Sequence, residues 1–93
     1  MQEGSILAFD FGLSQIGVAV GETVTRSARP LCILKAKDGI PNWQQIEQLL
    51  NEWKPVALVV GLPLNMDDTD SDMARFARKF SQRLHGRFGI QLH

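Results

Sequence analysis

The chain has 93 residues, 44% of them hydrophobic and 22% charged, which bounds it to one soluble globular domain with a modest core. Ten basic and ten acidic residues cancel to a net charge of zero, so bulk charge argues against a strongly basic polyanion binder and leaves local patches to make any such contact. Cys32 is the single cysteine, which excludes an intramolecular disulfide and a cysteine-rich zinc site. Its surroundings, Pro30-Leu31-Cys32-Ile33-Leu34, predict a buried structural thiol. No stretch approaches the roughly 18 consecutive apolar residues of a membrane span, and no positive region precedes the apolar run at 6–9, so cytoplasm is the default expectation.

Ser5-Ile6-Leu7-Ala8-Phe9 reads as a first strand, apolar on both faces and therefore central. Asp10-Phe11-Gly12-Leu13-Ser14 is a turn in which Gly12 is available for positive φ. Ile16-Gly17-Val18-Ala19-Val20-Gly21 follows as a second strand, antiparallel to the first, with Gly17 marking a close backbone approach or a bulge. Residues 23–29 and 31–35 form a third strand region, interrupted by Pro30, which demands an edge or a bulge. Asp38-Gly39-Ile40-Pro41 is a loop leading to a helix capped by Asn42, with Gln45 as capping-box partner. Trp43, Ile46, Leu49, Leu50 and Trp53 make its apolar stripe, and Lys54-Pro55 ends it. Val56-Ala57-Leu58-Val59-Val60 is then a fully buried parallel strand, adjacent to the first and joined by a right-handed crossover. A second helix runs from near Thr69 to about Arg87, with Thr69 and Asp72 in a capping pattern and Met73, Ala77, Phe80 and Leu84 facing inward. Ile90-Gln91-Leu92 begins a last strand, so the predicted order is β-β-β-α-β-α-β, an α/β mixed sheet.

Four segments in this order carry a family resemblance: Asp10-Phe11-Gly12, Ile16-Gly17-Val18-Ala19, Ala28-Arg29-Pro30-Leu31 and Val59-Val60-Gly61-Leu62-Pro63-Leu64-Asn65. The match continues through His85-Gly86-Arg87-Phe88-Gly89. Together they resemble the YqgF/RuvX family, bacterial proteins regarded as nucleases that mature the end of pre-16S rRNA and formerly named Holliday junction resolvases. The resemblance implies an RNase H-like fold and a hydrolase acting in ribosome biogenesis, with structured RNA as partner, the small ribosomal subunit alongside it and a DNA junction as the alternative. It also implies that residues 1–93 form one domain lacking its C-terminal helices, since family members continue past the last strand into an Asp-Glu-Arg motif and further helices with another aspartate. Of the family's acidic site only Asp10 maps onto this sequence, so the 93 residues alone are expected to be a poor or inactive nuclease and, with apolar sheet surface uncovered, to self-associate or be marginally stable.

Phosphodiester cleavage at such a site needs carboxylates that hold Mg²⁺ or Mn²⁺, the cofactors the resemblance implies. Asp10, at the end of a central strand, suits catalysis and metal ligation; a turn aspartate bonding its own backbone is the alternative. Gly12 lets substrate approach Asp10 or is a plain hairpin glycine. Asn65 and Arg29 are candidate substrate contacts, with loop backbone bonding as the other role for Asn65. Asp67, Asp68, Asp70 and Asp72 lack the glycine and terminal glutamate of a calcium loop, and helix capping explains the last two. The basic stripe Arg75, Lys79, Arg83 and Arg87 is a solvated helix face or a phosphate contact. His85 and His93 have no nucleophile beside them, and Trp43 and Trp53 suit helix core positions better than base stacking. Two other classes compete with the nuclease: an interaction module without catalysis, and an ATP-binding domain of the actin and sugar-kinase type, which opens the same way but needs a second large domain.

Overall fold

A computed structural model of the chain describes residues 4–61 and 72–90. In β1 (Ser5–Asp10), Leu7 and Phe9 turn inward and are 0% and 1% exposed, while Ile6, Ala8 and Asp10 face the other side of the sheet. Residues 11–14 reverse the chain into β2 (Gln15–Glu22), whose Ile16, Val18 and Val20 repeat the same inward alternation. β2 pairs antiparallel with β1, placing Leu7 opposite Val20 and Phe9 opposite Val18, so the two apolar rows coincide. A turn at 23–26, with Arg26 at φ 56°, leads to β3 (Ser27–Lys37). The bulge expected at Pro30 is present: Val18 faces Cys32 and Ala19 faces Pro30, leaving Leu31 as the extra residue.

β4 (Ile40–Pro41) is a two-residue strand in a segment whose sequence predicts a loop. It pairs back on Lys37 and Ala36 through Asp38 (φ 52°) and Gly39 (φ 80°). Positive φ at both central residues is the signature of the tightest hairpin turn, and Asp-Gly is among the pairs that adopt it readily. α1 (Trp43–Trp53) starts where Asn42 Oδ1 accepts the Gln44 amide at 2.9 Å, and stops where Lys54 turns left-handed ahead of Pro55. β5 (Ala57–Gly61) lies parallel beside β1, and α2 (Asp72–Phe88) follows. The Thr69 cap falls outside the described residues.

The sheet order is β4-β3-β2-β1-β5, and both helices pack on one face. Their Ile46, Leu50, Ala77, Phe80 and Leu84 join Leu7, Phe9, Phe11, Ile16, Val18, Val20, Leu34 and Leu58 in one core cluster. Phe80 is its hub: its ring lies 5.7 Å from Phe9 edge-on, 5.5 Å from Phe11 and 5.7 Å from Trp43 in a stack.

Among the described residues two features differ from expectation, and the expected last strand falls mostly outside them. Among the described residues the element order is β-β-β-β-α-β-α, because the two-residue β4 is too short to show periodicity. β5 is adjacent and parallel to β1 as expected, but it is the outermost strand of the described sheet: Ala57 and Leu58 are buried, whereas Val59 and Val60 are half-buried. Ile90, the first residue of the expected last strand, is irregular and half-buried, and residues 91–93 lie outside the described set.

Candidate active site

Asp10 is the last residue of β1, exposed on the face away from the helices. Its chain neighbours point the other way: Phe9 (1% exposed) and Phe11 (5% exposed) both pack on Phe80, which pins the backbone on either side of the carboxylate. Across the sheet, Asp10 lies opposite Gly17 of β2 and Gly61 of β5. Both flanks of the carboxylate are therefore bare backbone. A Cβ at position 17 would already stand 3.6 Å from the Asp10 Cβ, so a larger side chain there would crowd the carboxylate. No hydrogen bond ties the Asp10 side chain to another described residue, which is not the behaviour of a turn aspartate closing on its own backbone.

The turn after Asp10 is held by two long-range hydrogen bonds, Ala36 N–H to the Ser14 carbonyl and Gly39 N–H to the Leu13 carbonyl, each 2.9 Å. Gly12 is required here for space rather than for positive φ, since it is not among the positive-φ glycines. A Cβ on it would come within 2.5 Å of the Gln15 carbonyl oxygen, a backbone atom that cannot swing aside. Gly12→Ala is expected to cost about 1–3 kcal/mol and to displace the Asp10 turn. Urea unfolding together with amide shifts at residues 10–15 would check this; an unchanged midpoint would mean that the turn relaxes freely.

From Asp10 a groove of about 380 Å³ runs across the open face, lined among others by Ala8, Ala19, Pro30, Ile33 and Val59. It is an apolar floor with one carboxylate at its end. Mg²⁺ and Mn²⁺ favour hard oxygen donors, and Mg²⁺ is commonly held by one or two carboxylates together with substrate phosphate and water. Asp10 fits as one such ligand. Among the described residues no group of three potential ligands exists, so these residues supply only part of a coordination shell.

The other candidates are not gathered at Asp10. Arg29 is on the helix side of the sheet, its guanidinium 5.4 Å from the centre of the Trp53 ring, because the bulge puts it opposite the inward-facing Val20. Asn65 and the aspartates at 67, 68 and 70 lie outside the described residues, and Asp72 is known only as the first residue of α2. Arg87 stacks over Trp43 at 4.7 Å. Gly61, which the sequence places at the start of a loop, is the final residue of β5 and one of the two bare flanks; the relation is one of register between non-adjacent segments, which spacing along the chain does not reveal.

Cys32 is exposed, contrary to the buried thiol expected. It borders a shallow cavity between β3 and the polar side of α1, lined by Gln45, Gln48 and Glu52. Partial burial, and secondarily the Glu52 carboxylate, push its thiol above the ordinary range. Alkylation by iodoacetamide at pH 7.5 should therefore be slower than for free cysteine, and its pH profile should move back down in Glu52→Gln. A rate equal to that of free cysteine would contradict this.

The model of the family described as "RuvX: Holliday junction resolvase" matches residues 4–93. Curated proteins named "Putative pre-16S rRNA nuclease" are similar at 58% identity over 88 residues in Azotobacter vinelandii and 60% over 89 residues in Sodalis glossinidius. These alignments cover 95% and 96% of the chain but 62% and 63% of those proteins, so the chain spans somewhat less than two thirds of their length. Among solved structures, a Thermus thermophilus RuvC in complex with Holliday junction substrate superposes with a TM-score of 0.62 at 15% identity, covering 97% of this chain and 62% of that one. A second RuvC structure from that organism gives 0.56 at 14% identity. At such identities the likeness is one of fold, and it is the RNase H-like fold.

Proposed function

Because the chain belongs to the RuvX family, we propose that the intact protein carrying it is a metal-dependent nuclease that hydrolyses phosphodiester bonds in the maturation of pre-16S rRNA, in the bacterial cytoplasm and in contact with the small ribosomal subunit. The observation that carries this reading is Asp10, exposed at the end of a strand flanked on both sides and bracketed by Gly17 and Gly61. Bare flanks let a phosphodiester come down onto a carboxylate whose backbone is fixed by two buried phenylalanines. A divalent ion bound there would lower the pKa of an attacking water and neutralise charge building on the phosphate. The chain's own residues orient that centre: Phe9 and Phe11 fix the carboxylate's direction, and Gly12 holds the turn beside it. The match over residues 4–93 also favours a nuclease over the ATP-binding alternative. No helix among the described residues is long and apolar enough to cross a membrane.

The relatives' name favours RNA as substrate, and the family description keeps a four-way DNA junction as the second reading. Digestion of both by the intact protein, with Mg²⁺ or Mn²⁺ and with chelator as control, separates them. Metal-dependent trimming of precursor 16S RNA supports the first reading, symmetric junction cleavage the second, and cleavage of neither contradicts both.

A further inference from the structure

The end of the open face beyond Asp10 carries two cations that lie outside the candidate site. Gly17 of β2 is opposite both Asp10 and Ile33, so Ile33 is level with Asp10 two strands away. Lys35 lies opposite Gln15, and its neighbour Leu34 is buried on the helix side, so Lys35 and, two residues on, Lys37 are on Asp10's face. Strand spacing and rise put the backbones of Lys35 and Lys37 about 12 and 16 Å from that of Asp10, past the carboxyl end of β1. Both lysines are exposed, and neither has an ion-pair partner among the described residues. Asp38, the one acid nearby on this hairpin, occupies the turn. Two of the large apolar side chains most exposed to solvent share this face: Ile33 (65%) precedes Lys35 on β3, and Ile40 (46%) lies opposite Lys37 on β4.

Lysines on a sheet rim often guard it against strand addition. Here β4 pairs with residues 36 and 37, so Lys37 does not stand on an unpaired edge, and Lys35 directly precedes the paired stretch. What remains is a line of positive charge and apolar surface leading to the Asp10 carboxylate. We propose that Lys35 and Lys37 are phosphate-binding positioning residues: they hold the backbone of the nucleic-acid strand that enters the Asp10 site, with Ile33 and Ile40 against its sugars and bases. The proposal rests on the nuclease reading. It assigns the contact to the sheet rim and not to the more highly charged outer face of α2, where Arg78, Lys79 and Arg83 lie on the helix side of the sheet.

The test uses the intact protein in an Asp10→Asn background and a fluorescein-labelled RNA spanning the precursor end of 16S rRNA, with anisotropy read across salt concentrations. Lys35→Gln with Lys37→Gln should weaken binding about tenfold or more and reduce the log–log salt slope by about 1.4–1.8, two phosphate contacts' worth. Lys35→Arg with Lys37→Arg should restore the slope, which a merely structural role would not do. With Asp10 intact, the double glutamine variant should raise KM and leave kcat nearly unchanged. Lys79→Gln with Arg83→Gln should leave the slope as in the parent. If the β3 pair leaves affinity and slope untouched while the parent binds RNA, the proposal falls and the nuclease reading stands. If the parent itself binds no RNA, the proposal and the RNA reading of the nuclease both fall.

Discussion

Asp10→Asn in the intact protein is expected to reduce metal-dependent cleavage by about 10³-fold or more while leaving thermal unfolding within a degree or two of the parent. Asparagine keeps the size of the side chain and removes the charge that would hold a hard divalent ion. The fold should not respond, because the carboxylate is exposed and bonds no described residue. Cleavage assays beside melting curves separate the two effects. Undiminished cleavage would give Asp10 a purely structural role; a large fall in melting temperature would show that the carboxylate is part of the fold.

The second large effect is on stability. Phe80→Ala should cost about 3–5 kcal/mol, since a fully buried phenylalanine is replaced by a cavity. The side chain is 1% exposed and touches Phe9, Phe11 and Trp43, so it joins the two strands' end of the core to both helices. The loss is a large share of the about 5–15 kcal/mol by which folded domains are ordinarily stable. Because Phe9 and Phe11 bracket Asp10, the cavity should also loosen the carboxylate. Denaturant titration of Phe80→Ala and of the milder Phe80→Leu would show a graded loss; equal midpoints for parent and both variants would contradict the packing described.

What is legible in the sequence is whatever depends on local chemistry. The apolar alternation of Leu7 and Phe9, the Asn42 cap, the proline stop at Pro55 and the bulge at Pro30 each follow from a few adjacent residues, and each is present. What is not legible depends on which segments meet. Gly61 and Gly17 matter because they fall opposite Asp10, a register between three strands that no single segment encodes. Arg29 is moved to the helix face by one extra residue in the bulge, since a shift by one residue exchanges the two faces of a strand. Cys32, apolar in its sequence context, is exposed beside Gln45, Gln48 and Glu52 of α1, a meeting of segments that its neighbours in the chain do not encode. Gly12 suggests conformational freedom by its place in a turn, yet the constraint is the Gln15 carbonyl pressed against it.

Under the proposed reading, a divalent ion would be held at Asp10 on the sheet face away from the helices. Paramagnetic broadening by substoichiometric Mn²⁺, followed on the amide resonances of the intact protein with bound uncleavable RNA, tests it most directly. Gly17 and Gly61, the two residues opposite Asp10, are expected to broaden first in the parent and to stay sharp in Asp10→Asn. Broadening that centres on other carboxylates, or that persists at Gly17 and Gly61 in Asp10→Asn, would contradict it.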